Sequence, residues 1–207
     1  MKRIVLIFAA FLAAFGLGAQ TPAEIVKRMD AALDKAEENG TAFTFIMDIP
    51  ILGKASTRVY SLGDKVKMEI EMMGEVNEAW IDGNTSWIYD KKNNELVAST
   101  IKKSDDAAAD AMSAFQDITD GYDVSLEKET NDTWYLLCKK SRKNKDKDAA
   151  KKINIAVSKG SYMPVYLHTK AKGIGMSIEN IKPGVDPEVV AFSPDKFPGA
   201  KIKDQRK

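Results

Sequence analysis

The sequence is poor in the residues that most protein chemistry requires. Its 207 residues include one cysteine, Cys138, and one histidine, His168. A lone thiol makes no internal disulfide, and a lone imidazole cannot anchor a histidine metal cluster. Neither a glycine-rich phosphate loop nor a Gly-x-Ser-x-Gly elbow occurs. An excess of one charge is also missing. There are 31 Lys+Arg against 30 Asp+Glu, a net of +1, whereas nucleic-acid binding normally brings a basic excess. No apolar run reaches the roughly 20 residues of a membrane span. Carboxylates are plentiful, but most fall on charged strand faces or in turns, and none stands beside an identifiable nucleophile or base. The expectation is a non-enzyme with no cofactor, no metal and no nucleic-acid partner.

What is present begins with an address. Lys2 and Arg3 precede an apolar run over 4–15, and Gly16-Leu17-Gly18-Ala19 supplies small residues for a signal peptidase. Residues 1–19 read as a signal peptide and 20–207 as one domain. Leu17-Gly18-Ala19 is what a bacterial lipoprotein signal shows just before its lipidated cysteine, but Gln20 follows. The mature chain is therefore expected outside the cytoplasm, soluble and without a lipid anchor. Loss of Lys2 and Arg3 would leave a net charge of −1.

Thr21-Pro22-Ala23-Glu24 is a capping box with proline in the first turn, and Ile25, Met29, Leu33 and Ala36 recur at helical spacing up to Asn39-Gly40. Strand patterns follow. Phe43 and Phe45 alternate with polar or small neighbours, and residues 55–62 lead to a Gly63-Asp64 turn. Val66, Met68, Ile70 and Met72 then alternate with Lys65, Lys67, Glu69 and Glu71. This is the clearest period-2 segment of the chain. Past Gly74, residues 76–81 and 87–89 flank the Asp82-Gly83-Asn84 hairpin. Asn93-Asn94 turns into 96–101. From Ser104 the spacing of Ala108, Ala111, Met112 and Phe115 predicts a short inserted helix. Further strands are expected at 122–126, 134–138, 153–157, 164–169 and 174–181, with a last strand or irregular edge in 189–202. The fold class is α+β: one strongly curved antiparallel sheet, an incomplete barrel, covered by helices.

The apolar residues of that sheet include Phe43, Phe45, Val66, Met68, Ile70, Met72, Trp80 and Trp87. Alternation alone makes them either a filled core or the wall of a hollow. Methionine is unbranched and adaptable, which suits a wall that moulds to guests of varied shape. Cys138, in the alternation Trp134-Leu136-Cys138, is expected to be a small buried hydrophobe, and His168 a structural histidine. The segment 139–152 carries Lys139, Lys140, Arg142, Lys143, Lys145, Lys147, Lys151 and Lys152 against Asp146 and Asp148. It reads as a solvated hairpin loop or as a surface for anionic headgroups or an acidic partner.

The order of these segments resembles the outer-membrane lipoprotein carrier (LolA) family. The resemblance covers nearly all of the mature chain. It rests on the opening helix, the hairpin Trp80-Ile81-Asp82-Gly83-Asn84-Thr85-Ser86-Trp87-Ile88-Tyr89, and the close Phe192-Ser193-Pro194 through Phe197-Pro198-Gly199-Ala200 to Asp204-Gln205-Arg206-Lys207. The resemblance implies a half-barrel with a helical lid over a hydrophobic cavity. Met68 and Ile70 would be cavity positions, with Met112 and Phe115 on the lid. The implied protein is a periplasmic, monomeric chaperone that binds triacylated lipoproteins. It would receive them from an inner-membrane ABC exporter and pass them to an outer-membrane acceptor. In one respect the chain departs from the pattern: the family's arginine ahead of that strand, which ties the lid shut, is absent from Ser61-Leu62-Gly63. Two alternatives share the fold, namely a lipoprotein-sensing regulator and a general binder of hydrophobic ligands.

Overall fold

The computed structural model describes residues 20–101 and 118–206. The first described element is helix α1, Pro22–Glu38. Thr21 caps it as expected: its side chain accepts from the Glu24 amide, and the Glu24 carboxylate accepts from the Thr21 amide at 2.9 Å. The Thr21 amide and the Thr21 hydroxyl, both donating to it, hold the Glu24 carboxyl below its usual range.

Six strands follow as a meander: β1 Thr41–Ile49, β2 Gly53–Leu62, β3 Lys65–Met72, β4 Glu75–Asp82, β5 Thr85–Asp90 and β6 Glu95–Thr100. A second meander comprises β7 Tyr122–Glu129, β8 Thr133–Lys140, β9 Lys152–Ser158, β10 Pro164–Ala171 and β11 Ile174–Pro183. Its last strand pairs antiparallel with β1, so both meanders form a single sheet. The tail adds a short helix α2, Pro187–Val190, a 3-10 turn Pro194–Lys196, and β12 Lys201–Asp204. β12 lies parallel to β6, and the twelve strands run in the order β12-β6-β5-β4-β3-β2-β1-β11-β10-β9-β8-β7. The result is the expected large, curved, unclosed and mostly antiparallel sheet.

The two faces have different covers. On one, which we call the helix face, α1 buries Ile25 and Met29 against Phe43, Val59, Val66, Trp134, Leu136, Cys138, Ile153, Ile155, Val157 and Leu167. The first turns of α1 are pinned to the β9–β10 turn: Arg28 and Gln20 both donate to the Tyr162 hydroxyl, at 2.7 and 2.8 Å. The other face carries the charged residues of β3 and, farther along, an aromatic cluster beneath the chain's tail. The lid helix expected from Ser104, with Met112 and Phe115, lies outside the described residues. So does the expected signal peptide.

Candidate functional site

Residues paired directly across neighbouring strands share a face, so the register assigns the expected wall residues row by row. One row on the helix face runs Phe43, Val59, Met68, Ala79, Ile88, Val97 across β1 to β6. The next runs Leu136, Ile155, Leu167, Ile178, Phe45, Thr57, Ile70, Asn77. A third runs Cys138, Ile153, Thr169, Met176, Met47, Ala55, Met72, Glu75. Phe43, Phe45, Val66, Met68, Ile70 and Met72 therefore do stand on one face.

Burial along this face is graded. At the α1 end Phe43, Val59 and Val66 are sealed into the core. Phe45, Met68 and Ile178 are only partly buried, and Ile70 and Met72 are 36% and 54% exposed. From β11 to β4 the open part spans about 19 Å at roughly 4.8 Å per strand. It is lined by Phe45, Met47, Met68, Ile70, Met72 and Met176. Four of these six are methionines, whose flexible thioethers accept irregular apolar partners.

Trp80 and Trp87 do not belong to this wall, which corrects the expectation that they line it. Two-residue turns join β3 to β4 and β4 to β5, so Trp80 pairs with Lys67 and Trp87 pairs with Trp80. All three side chains project from the opposite face. There Phe192 stacks on Trp87 at 4.4 Å, while Phe197 meets Trp80 edge-on at 5.4 Å and Tyr89 at 4.5 Å. Lys67 and Arg206 sit over the two indoles at 5.6 and 5.4 Å. These aromatics fasten the tail to the sheet. Their closed contacts leave no open apolar wall.

Met47, Met176 and Ile88, all on this face, were not singled out in the sequence. The first two extend visible alternations, Phe43-Phe45-Met47 and Ile174-Met176-Ile178. What joins them is the β1–β11 pairing, which brings together segments far apart in the chain.

A cleft of about 570 Å³ between α1 and β7 is lined by Val26, Tyr122 and Val124, but also by Lys27, Asp30 and Asp123. An apolar chain there would strip water from charged groups, which is costly without compensating partners. The open rows of the sheet are the better apolar surface. Among the described residues, no helix is long and apolar enough to cross a membrane. Arg58, the arginine nearest in sequence to Ser61-Leu62-Gly63, faces away, 3.6 Å from Glu69 on the opposite face. His168 also lies on that opposite face, stacked on Tyr166 and 3.4 Å from the Ser177 hydroxyl.

No family model matches this sequence, and no curated protein matches it. Solved structures do resemble it. An uncharacterized conserved protein from Thermus thermophilus is 17% identical, covering 88% of this chain and 98% of its own, with a TM-score of 0.48. LprF from Mycobacterium bovis is 7% identical, covering 84% and 99%, at 0.49. A LolA superfamily protein from Nitrosomonas europaea is 12% identical, covering 86% and 100%, at 0.36.

Proposed function

We propose that this protein binds the acyl chains of lipoproteins on the open part of its helix face and carries them through the periplasm, from the inner to the outer membrane, without catalysing a reaction. The observation that carries this reading is the set of apolar rows that the described residues leave unsealed between β11 and β4. A protein usually covers such a surface, and a contiguous exposed apolar patch marks a binding site. An acyl chain matches it chemically. Burial is worth ~0.8 kcal/mol per CH₂, so a chain of about sixteen carbons resists water by roughly 12 kcal/mol and needs an apolar escort to cross an aqueous space. The methionines favour holding without tight complementarity, which permits release at the far membrane.

The donor would be an inner-membrane ABC exporter and the recipient an outer-membrane acceptor. Met68→Glu and Ile70→Glu each place a carboxylate within the apolar rows. Either should abolish release of lipoproteins from spheroplasts while leaving export and the circular dichroism spectrum unchanged. A folded variant with normal release would overturn the assignment.

A further inference from the structure

The sheet has two rims, and they differ in charge and in greasiness. Hairpins β1–β2, β3–β4, β5–β6, β10–β11 and the β8–β9 loop all turn at the same rim. The register requires this, because Asp48 faces Gly175 and Ala55 faces Met72. An ion pair of 2.6 Å between Lys172 and Asp148 fastens the β10–β11 turn to the β8–β9 loop.

At this rim the tips of two neighbouring hairpins are apolar and bare. Ile51 is 106% exposed, Leu52 66% and Met73 80%. Ile51 and Met73 also hold positive φ, +74° and +55°. A β-branched side chain is strained there, and glycine would be the residue of least cost. Neither solubility nor turn geometry accounts for two large apolar side chains in this position.

Three further connections of the rim are basic, while the turn before β7 carries Asp120. Lys91 and Lys92 occupy β5–β6, Lys172 occupies β10–β11, and Arg142, Lys143, Lys145, Lys147 and Lys151 occupy the β8–β9 loop. The loop's two aspartates are already engaged. Asp148 pairs with Lys172, and Asp146 accepts from the Asp148 amide at 2.9 Å. The loop has a fixed shape, because the Tyr122 hydroxyl donates to the Ala150 carbonyl at 3.0 Å and the Ser141 amide to the Gly121 carbonyl at 2.9 Å. Among the described residues, none of Arg142, Lys143, Lys145 and Lys147 forms an ion pair with a carboxylate. Among the described residues, the turns at the opposite rim carry Asp64, Asp132 and Asp186, and Lys159 there is paired with Glu129 at 3.3 Å.

We infer that the basic rim docks on an anionic lipid bilayer, with Ile51, Leu52 and Met73 entering the interface and the lysines and Arg142 resting on acidic headgroups. Apolar tips flanked by cations are the combination that gives reversible attachment to an anionic membrane surface. An acidic protein surface would use the charges but would leave the tips without a partner. The inference adds a membrane contact to the acyl-binding reading without depending on it. The open rows do run out to this same rim at Met47 and Met72.

The test is sedimentation of the protein, in the form that cells accumulate, with two kinds of vesicle. One contains phosphatidylglycerol with phosphatidylethanolamine, and the other only uncharged phosphatidylcholine. Binding is expected to the anionic vesicles and to weaken with salt. The triple change Ile51→Ser, Leu52→Ser, Met73→Ser should reduce it about tenfold or more. The triple change Arg142→Glu, Lys143→Glu, Lys145→Glu should remove the preference for phosphatidylglycerol. Both variants should keep the affinity for a pyrene-labelled fatty acid, which reads the helix face separately. If the unsubstituted protein does not sediment with anionic vesicles, the membrane assignment is overturned and an acidic protein becomes the partner. Unchanged sedimentation of either variant would overturn it equally.

Discussion

Cys138 shows how a single side chain can be chemically silent. It is fully buried on β8, and burial pushes its thiol from 9.0 up to about 11. Only the thiolate is a nucleophile, so the native thiol is protected twice, by access and by protonation. At about pH 8 an aromatic disulfide reagent should leave the folded protein unmodified and titrate one thiol per chain once urea unfolds it. Rapid modification of the native protein would contradict the placement. The sign of the pH effect follows from the same shift. The unfolded thiol ionises more readily, so the stabilisation from keeping it neutral is complete below 9.0 and is lost as pH rises through about 11. Cys138 was legible in the sequence because its neighbours alternate with strand period. Trp80 was not read correctly, although the needed information was present. The two-residue turn at Met73-Gly74 puts Trp80 opposite Lys67, not on the face of Met68.

Among the elements, the tail carries more structure than an irregular edge. Phe192 and Phe197 pack on Trp80, Trp87 and Tyr89, and β12 then extends the sheet beside β6, with Lys203 2.6 Å from Glu95. Trp80 is almost completely buried in this second cluster. Trp80→Ala should lower the unfolding free energy by roughly 3–5 kcal/mol in urea titration, the usual cost of emptying a large aromatic site. The proposed acyl-binding surface lies across the sheet, on the opposite face from this cluster. Affinity of the folded variant for a fatty acid should therefore change by less than about twofold. Loss of binding without loss of stability would place the ligand on the wrong face. The parallel pairing of β12 was hidden from sequence reading, since four exposed residues carry no periodic signal. The opening helix was plain from its capping box.

For the molecule as a whole, local turns revealed the two meanders, because most hairpins declare themselves through Gly, Asn or Asp at the tip, and the β1–β2 connection through Pro50. Their joining through β1 and β11 was not declared. That pairing is long-range, and it is what assembles Met47, Met176, Phe45 and Ile178 with Met68 and Ile70 into one apolar surface. The sequence thus disclosed the kind of fold and part of the wall, while the membership of the wall depended on the register between distant strands. The resulting molecule has a sealed end under α1, an open apolar stretch, and a rim carrying apolar tips and cations.

The most direct measurement is photo-crosslinking with a fatty acid that carries a diazirine near its terminal methyl, followed by mass spectrometry of the labelled peptides. Acyl binding on the helix face predicts label on β1, β3 and β11, at or beside Phe45, Met47, Met68, Ile70 and Met176. Label confined to Trp80, Trp87 and Phe192, or to the α1–β7 cleft at Val26 and Val124, would contradict it.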